Sequence, residues 1–211
     1  GRGFDSRRLH QSNPPIQSMN RRVISFCHHG GKVTNQSNEI IANLTNTIFK
    51  KTNNRPLLVA IDGVSNAGKT TFAKTLAAHL HHNRSVILAS IDCFHNPKSV
   101  RYKLGKNSPD GYYQYSFNYN SLIKYLLNPL KSDKEPKIKT AIFDIETDQP
   151  IHQDYQTVPQ DAILILEGIF LQNERLINYW DYTVFLHVDF YQALERAKIR
   201  DRKLFGTEND V

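Results

Sequence analysis

Residues 63–70 read GVSNAGKT, a complete G-x-x-x-x-G-K-[ST] run. Each residue type in it suits the capture of a phosphate chain. Gly63 and Gly68 permit the backbone turns that aim successive N–H groups, those of Val64, Ser65, Asn66 and Ala67 among them, at phosphate oxygens. Lys69 reaches the outer phosphates and Thr70 offers its hydroxyl to Mg²⁺. With Thr71 they open a helix whose positive end faces the anion. The ligand expected for 63–71 is the phosphate chain of a nucleotide with Mg²⁺. Two acids can act beside it. Asp92 ends one apolar run, in IDCFH, and Glu167 ends another, in LILEG. Where the strands of a parallel sheet end, one carboxylate can accept the proton of an attacking hydroxyl. The other can hold Mg²⁺ directly or through water.

The elements that must position these groups follow from periodicity. LLVAID (57–62) precedes the loop as a short buried strand, and TTFAKTLAAHLHH (70–82) follows it as a helix with Phe72, Leu76 and Leu80 on one face. SVILASID (85–92), AILILEG (162–168) and YTVFLHVD (182–189) read as further buried strands, and IKTAIFDI (138–145) alternates like a strand. Helices are expected over SNEIIANLTNTIFKK (37–51, capped by Ser37), SLIKYLLNPL (121–130, stopped by Pro129), ERLINYW (174–180) and the basic FYQALERAKIRDRKLF (190–205). Residues 95–117 form a long loop or an inserted subdomain. The Tyr-rich stretch YYQYSFNY (112–119) can stack a base or line the underside of that loop. Strands alternating with helices imply an α/β domain whose parallel sheet is covered on both faces.

Composition bounds the rest. A chain of 211 residues and 24.3 kDa holds one full-sized α/β domain and little more. Ten Gly and nine Pro exclude collagen-like and low-complexity classes. The net charge of +7 sits in residues 1–56, where nine Lys and Arg face only Asp5 and Glu39. The chain's totals of 27 basic and 20 acidic side chains then leave 18 of each for 57–211. A nucleic-acid-binding domain concentrates its excess on a folded face, so the basic arm reads as a solvated tail and no nucleic-acid partner is expected. An RNA- or membrane-attracted arm is the alternative. Residues 1–18 read as a leader outside the fold, with Met19 expected as the true start and GFDS as read-through of a transfer-RNA-like gene. Residues 19–56 read as a basic N-terminal extension with one helix, and 57–211 as the phosphate-loop domain.

Cys27 and Cys93 make no disulfide framework, so a cytoplasmic compartment is expected. The longest apolar run, AILILEGIFL (162–171), is shorter than the roughly 20 residues of a spanning helix and carries Glu167. No membrane span or secretion signal is read. His28, His29, His79, His81 and His82 lack Cys or carboxylate partners at ligand spacing, and a helix-end role is expected of the last three.

Taken in order, DGVSNAGKTTFAKTLA, IDCFH, RYKLGKNSPDGYY, NPL, FDIETD, LILEGIFL, WDYTVFLHVDF and LERAKIRD resemble the uridine kinase family of phosphate-loop kinases. The nearest resemblance is to its bacterial uridine kinase-like branch, over about residues 57–205. The resemblance implies a P-loop NTPase fold, a three-layer α/β/α sandwich with a mainly parallel sheet, a small nucleoside-covering insertion and a helical lid. It implies ATP-dependent phosphorylation of a small-molecule hydroxyl, the 5′-hydroxyl of uridine or cytidine first. Another acceptor (pantothenate, a sugar phosphate) or a nucleotide-binding protein of little turnover are the alternatives. By the same resemblance Lys69 and Thr70 serve ATP and Mg²⁺, and Asp92 accepts the hydroxyl proton and neighbours Mg²⁺. Glu167 is the metal-associated strand-end acid, Asp110 meets the ribose, His95 lies near the base, and Arg200 meets the transferred phosphate.

The sequence departs from the family at Cys93, read as a small filler rather than a nucleophile, at Ala197, where nucleoside kinases carry another Arg, and at Asp148, where they place a base-facing His. By the resemblance, family members continue past the lid into a helix and a last strand; an incomplete adenine pocket is expected if GTENDV is the natural end, and a truncated C-terminus is the alternative.

Overall fold

The structure, a computed structural model, describes residues 23–27, 35–51, 54–132, 134–189, 191, 193–195 and 197–198. Its strands are β1 (Val23–Cys27), β2 (Leu57–Gly63), β3 (Val86–Ser90), four two-residue strands β4 (Lys137–Ile138), β5 (Phe143–Asp144), β6 (Gln149–Pro150) and β7 (Gln156–Thr157), then β8 (Ile163–Glu167) and β9 (Tyr182–His187). The five long ones form one sheet in the order β1-β9-β2-β8-β3. Every pairing in it is parallel.

All seven residues of β2 are buried, as expected of a central strand covered on both faces. Its alternation divides the core. Leu57, Val59 and Ile61 face a layer built by α1 (Asn35–Phe49) and α2 (Lys69–Leu80), with Ile41, Leu44 and Ile48 from the first and Phe72, Leu76 and Leu80 from the second. Leu58 and Ala60 face the opposite layer, where Leu122, Leu126, Leu127, Leu130 and Trp180 pack. Ile41, Leu44 and Ile48 are at most 1% exposed. Each contributes about 1.5–3 kcal/mol of burial, which docks α1 firmly on the sheet. The extension thus supplies α1 to one layer and β1 to the sheet edge, a strand the sequence reading lacked. The helix begins at Asn35, two residues ahead of the expected Ser37 cap.

Three further expectations are corrected. The helix around 121–130 runs from Tyr119 to Leu130 without stopping at Pro129, through a π-helical stretch Ile123–Leu127. There the Asn128 N–H reaches the Ile123 carbonyl, five residues back, and the widened turn accommodates a proline that brings no N–H. IKTAIFDI splits between two antiparallel ribbons, β4–β7 and β5–β6. ERLINYW forms successive turns rather than a helix, because the Asn173 side chain accepts the Arg175 N–H and donates to the Phe170 carbonyl. Residues 95–117 carry two short helices, α3 (Lys98–Arg101) and α4 (Pro109–Tyr115). The β5–β6 ribbon docks beside the turn that follows β3, where the Ile142 N–H donates to the Cys93 carbonyl over 3.0 Å, and the Lys139 N–H after β4 donates to the Tyr125 carbonyl over 3.0 Å. Among the described residues no helix is long and apolar enough to cross a membrane.

Candidate functional site

Parallel register brings the chemistry to one edge of the sheet. Ile61 of β2 lies beside Glu167 of β8, and Glu167 lies beside Ser90 of β3. The phosphate loop leaves β2 two residues further on. Gly63 is held at φ +151, and a Cβ there would stand 2.6 Å from the Leu186 carbonyl oxygen. Only glycine fits where the loop crosses β9. Asn66 at φ +61 and Gly68 at φ +89 turn the backbone twice more. The Ala67 N–H closes onto the Val64 carbonyl over 3.2 Å. At the foot of the loop, Asp62 is 3% exposed. It accepts the Gly63 N–H over 2.7 Å and the Gln172 N–H over 3.1 Å, tying the loop to the segment after β8.

Lys69 and Thr70 open α2. The Lys69 ammonium donates to the Val64 carbonyl over 2.8 Å, folded back across its own loop. The Thr70 hydroxyl donates to Glu167 Oε1 over 3.2 Å. Thr71 is exposed in the same turn, and its carbonyl accepts the Thr75 hydroxyl. Burial pushes the Glu167 carboxyl up. Hydrogen bonds from Ser90 and Thr70 and the Lys69 charge pull it back, while the Asp92 charge adds to the rise.

Asp92 is exposed in the 3₁₀ turn Ile91–Phe94 that follows β3, and its N–H donates to the Ser90 hydroxyl. His95 Nδ1 lies 2.8 Å from the Asp92 carbonyl, and its ring packs on Phe117 with centroids 4.6 Å apart. Burial lowers its pKa. The bond to the Asp92 carbonyl and the Asp92 charge oppose this, and the Arg101 charge adds to the lowering. A neutral imidazole is the result. Burial raises the Cys93 thiol, and the charges of Asp92, Glu167 and Asp144 raise it further. A raised pKa disfavours the nucleophilic thiolate.

The ends of β2, β8 and β3 therefore bring the loop, Glu167 and Asp92 to one end of the sheet, and His95 is held against the Asp92 carbonyl. Asp110 is exposed in the first turn of α4. Two residues on, the Tyr112 hydroxyl is hydrogen-bonded to Ser65 of the phosphate loop, and its ring meets Phe170 edge-on at 5.5 Å. Arg200 lies outside the described residues, as does the 1–18 leader. Asp62 stands directly before the loop, but sequence reading counted it only as part of a strand. Nothing in the sequence signalled Ser65–Tyr112 or Arg101, because their partners lie tens of residues away.

The residues present suit a triphosphate and a hard divalent cation. The loop is pressed against β9 at Gly63, a lysine folds across it, and Thr70 and Glu167 stand hydrogen-bonded at its end, with the Asp92 charge felt by Glu167. Fold and loop are those of the phosphate-loop kinases. The profile of the Phosphoribulokinase / Uridine kinase family matches residues 58–210, and the chain belongs to that family. Among its relatives, a uridine kinase of Lactobacillus helveticus is 31% identical over 168 residues, 74% of each chain. A uridine kinase of Ureaplasma urealyticum is 29% identical over 147 residues, 69% of each chain. Human nicotinamide riboside kinase 1 is 30% identical over 147 residues, 69% of this chain and 66% of that one. A solved structure described as a possible uridine kinase from Bacillus stearothermophilus superposes with TM-score 0.59 at 25% identity, covering 83% of this chain and 94% of that one. The chain is an ATP-dependent kinase.

Proposed function

We propose that the kinase transfers the γ-phosphate of ATP to the 5′-hydroxyl of uridine or cytidine. The observation that carries the reading is the place of Asp92. It is exposed at the end of β3 and within electrostatic reach of Glu167 and of His95. A hydroxyl at Asp92 faces the phosphate loop, and the body of the acceptor extends toward His95 and the ribbon insertion. The uridine kinases among the relatives support a nucleoside in that place.

The acceptor oxygen forms a bond to the γ-phosphorus, the bond from that phosphorus to the β–γ bridging oxygen breaks, and the hydroxyl proton passes to Asp92. Lys69 leaves the Val64 carbonyl for the phosphates and stabilises the moving charge. Thr70, Asp92 and Glu167 are the residues that would hold Mg²⁺, which would supply positive charge against the phosphates. The N–H groups of the 63–71 loop seat the phosphates. Asp110 binds the ribose, His95 lies beside the base, and Arg200 of the lid meets the transferred phosphate. ADP release with Mg-ATP across uridine, cytidine, other nucleosides, pantothenate and a sugar phosphate tests the reading, with Lys69→Ala as blank. Release with uridine or cytidine, absent from the blank, is expected. Release only with pantothenate or a sugar phosphate overturns the nucleoside assignment and keeps the kinase.

A further inference from the structure

One contact at the phosphate loop serves neither phosphate nor metal. The Tyr112 hydroxyl, on α4, is hydrogen-bonded to the Ser65 side chain. The bond runs between side chains and does not use the Ser65 N–H. Tyr112 is 39% exposed, which marks the bond as a surface tether rather than core packing. A second link runs beside it. The Tyr112 and Tyr113 rings meet Phe170 edge-on, with centroids 5.5 and 5.0 Å away. Two residues past Phe170 the Gln172 N–H donates to Asp62 Oδ2 over 3.1 Å, and Asp62 Oδ1 accepts the Gly63 N–H over 2.7 Å. The helix is thus tied to the loop at Ser65 and, through the Phe170 segment, at the foot of the loop.

With seven residues, α4 is too short to hold a helix without tertiary anchors. Its C-terminal end is fastened beside His95, where Asn96 donates its N–H to the Ser116 carbonyl and its Nδ2 to the Tyr115 carbonyl, each over 2.9 Å. Tyr112 and Tyr113 fasten its middle. That joint carries two costs. Phe170 stands at φ +61, where bulky side chains are rare. The Tyr119 hydroxyl, within electrostatic reach of Tyr113, Asp62 and Tyr112, is buried with no hydrogen-bond partner. Costs of this kind gather at ligand clamps and switch segments. On the loop side the Lys69 ammonium and the Ala67 N–H both rest on the Val64 carbonyl, at 2.8 and 3.2 Å. A triphosphate that takes Lys69 from that carbonyl resets the loop one residue from Ser65. Order gained there passes to Tyr112, because the second group to be ordered at a shared joint costs less than the first.

We infer that Tyr112 is a positioning residue that couples the phosphate loop to α4, so that a nucleotide seated on the loop fixes the helix that carries Asp110. The coupling itself needs only the nucleotide. Its consequence for the acceptor rests on the nucleoside reading, in which Asp110 meets the ribose. Nucleotide and acceptor then favour each other's binding by one factor, whichever binds first.

The test follows amide hydrogen exchange of α4 in the full chain, as wild type, Tyr112→Phe and Ser65→Ala. Each is measured with and without saturating Mg²⁺ and the non-hydrolysable β,γ-imido analogue of ATP. In wild type the analogue is expected to slow exchange of the helix about 2- to 10-fold, the worth of one neutral hydrogen bond. In either variant that slowing is expected to vanish. A merely structural role would speed exchange by equal factors with and without the analogue and leave the slowing intact, which overturns the inference. So does a wild-type helix whose exchange the analogue does not change. Ser65→Ala removes the bond from the loop side and decides the matter should Tyr112→Phe fold poorly, as its thermal midpoint reveals. In turnover, the KM for uridine should fall in wild type as ATP is raised through its own KM, and should not in Tyr112→Phe. A uridine KM independent of ATP in wild type overturns the inference and leaves the nucleoside kinase standing. No turnover with uridine overturns the nucleoside reading alone, since the exchange comparison needs no acceptor and still decides the coupling.

Discussion

The Thr70 hydroxyl donates to Glu167 Oε1 across 3.2 Å, joining the first turn of α2 to the end of β8. Burial raises the Glu167 carboxyl above its ordinary value, so without nucleotide the folded protein holds this proton more tightly than the unfolded chain does. Between the two pKa values the native state binds more protons. The contribution of Glu167 to stability is therefore present below the ordinary carboxylate value and is lost as pH rises through the raised one. Glu167→Gln keeps the shape without the charge. Urea unfolding from pH 4 to 8 should find its stability rising relative to wild type as pH increases, while Mg²⁺-dependent turnover falls. Parallel pH curves for the two proteins would refute the assignment.

Gly63 and Gly68 flank one loop but differ in what a side chain would meet. At Gly63 a Cβ collides with the Leu186 backbone, whereas at Gly68 nothing lies within 4 Å and only the φ of +89 resists substitution. Gly68→Ala should lower stability by about 1–3 kcal/mol, the range for one strained residue. Gly63→Ala should cost more and separate the loop from β9. Urea midpoints rank the two, and calorimetric titration with Mg-ATP should show the larger loss of affinity for Gly63→Ala.

Much of this arrangement is legible in the sequence because it is local. LLVAID and AILILEG are apolar runs bounded by turn residues, and both are buried on two faces as such runs require. Lys69 and Thr70 follow from the spacing of the loop alone. What could not be read depends on distant partners. VISFC becomes a strand only because β9, far along the chain, offers its free edge. IKTAIFDI has the alternation of one strand, yet Ile138 pairs with Gln156 and Phe143 with Pro150 in separate ribbons. Arg101 and Asp148 are 47 positions apart, and neither residue type hints at the other.

Asp181 ties the start of β2 to the extension. It receives two hydrogen bonds from Arg55, at 2.9 and 2.8 Å, the Leu58 N–H at 2.9 Å and the Lys51 ammonium at 3.4 Å. Burial alone would raise its carboxyl. The hydrogen bonds from Arg55 and Leu58, with the Arg55 and Lys131 charges, outweigh burial and hold it below the ordinary value. The stability it contributes is thus present above the unfolded pKa and lost as pH falls through the folded one. Asp181→Asn should destabilise by about 1.5–3 kcal/mol at neutral pH and flatten the acid limb of the stability curve. Activity per folded molecule should remain, because the residue stands at the opposite end of β2 from the loop.

Asp92 carries the sharpest prediction. Its carboxylate is exposed, so Asp92→Asn leaves no buried cavity or unpaired buried charge, and the fold should be retained. The neutral amide no longer accepts the proton released as the acceptor oxygen attacks phosphorus. General-base contributions of this kind are worth about 10²- to 10⁴-fold. Turnover with the preferred acceptor should fall by more than about a hundredfold, whereas ATP affinity, set by the loop and Lys69, should change little. A fall in kcat and kcat/KM together, with Kd for ATP preserved, identifies an interaction made in the transition state. Unchanged turnover would remove Asp92 as the base and leave Glu167 as the remaining acid beside Thr70 to be tested in that role.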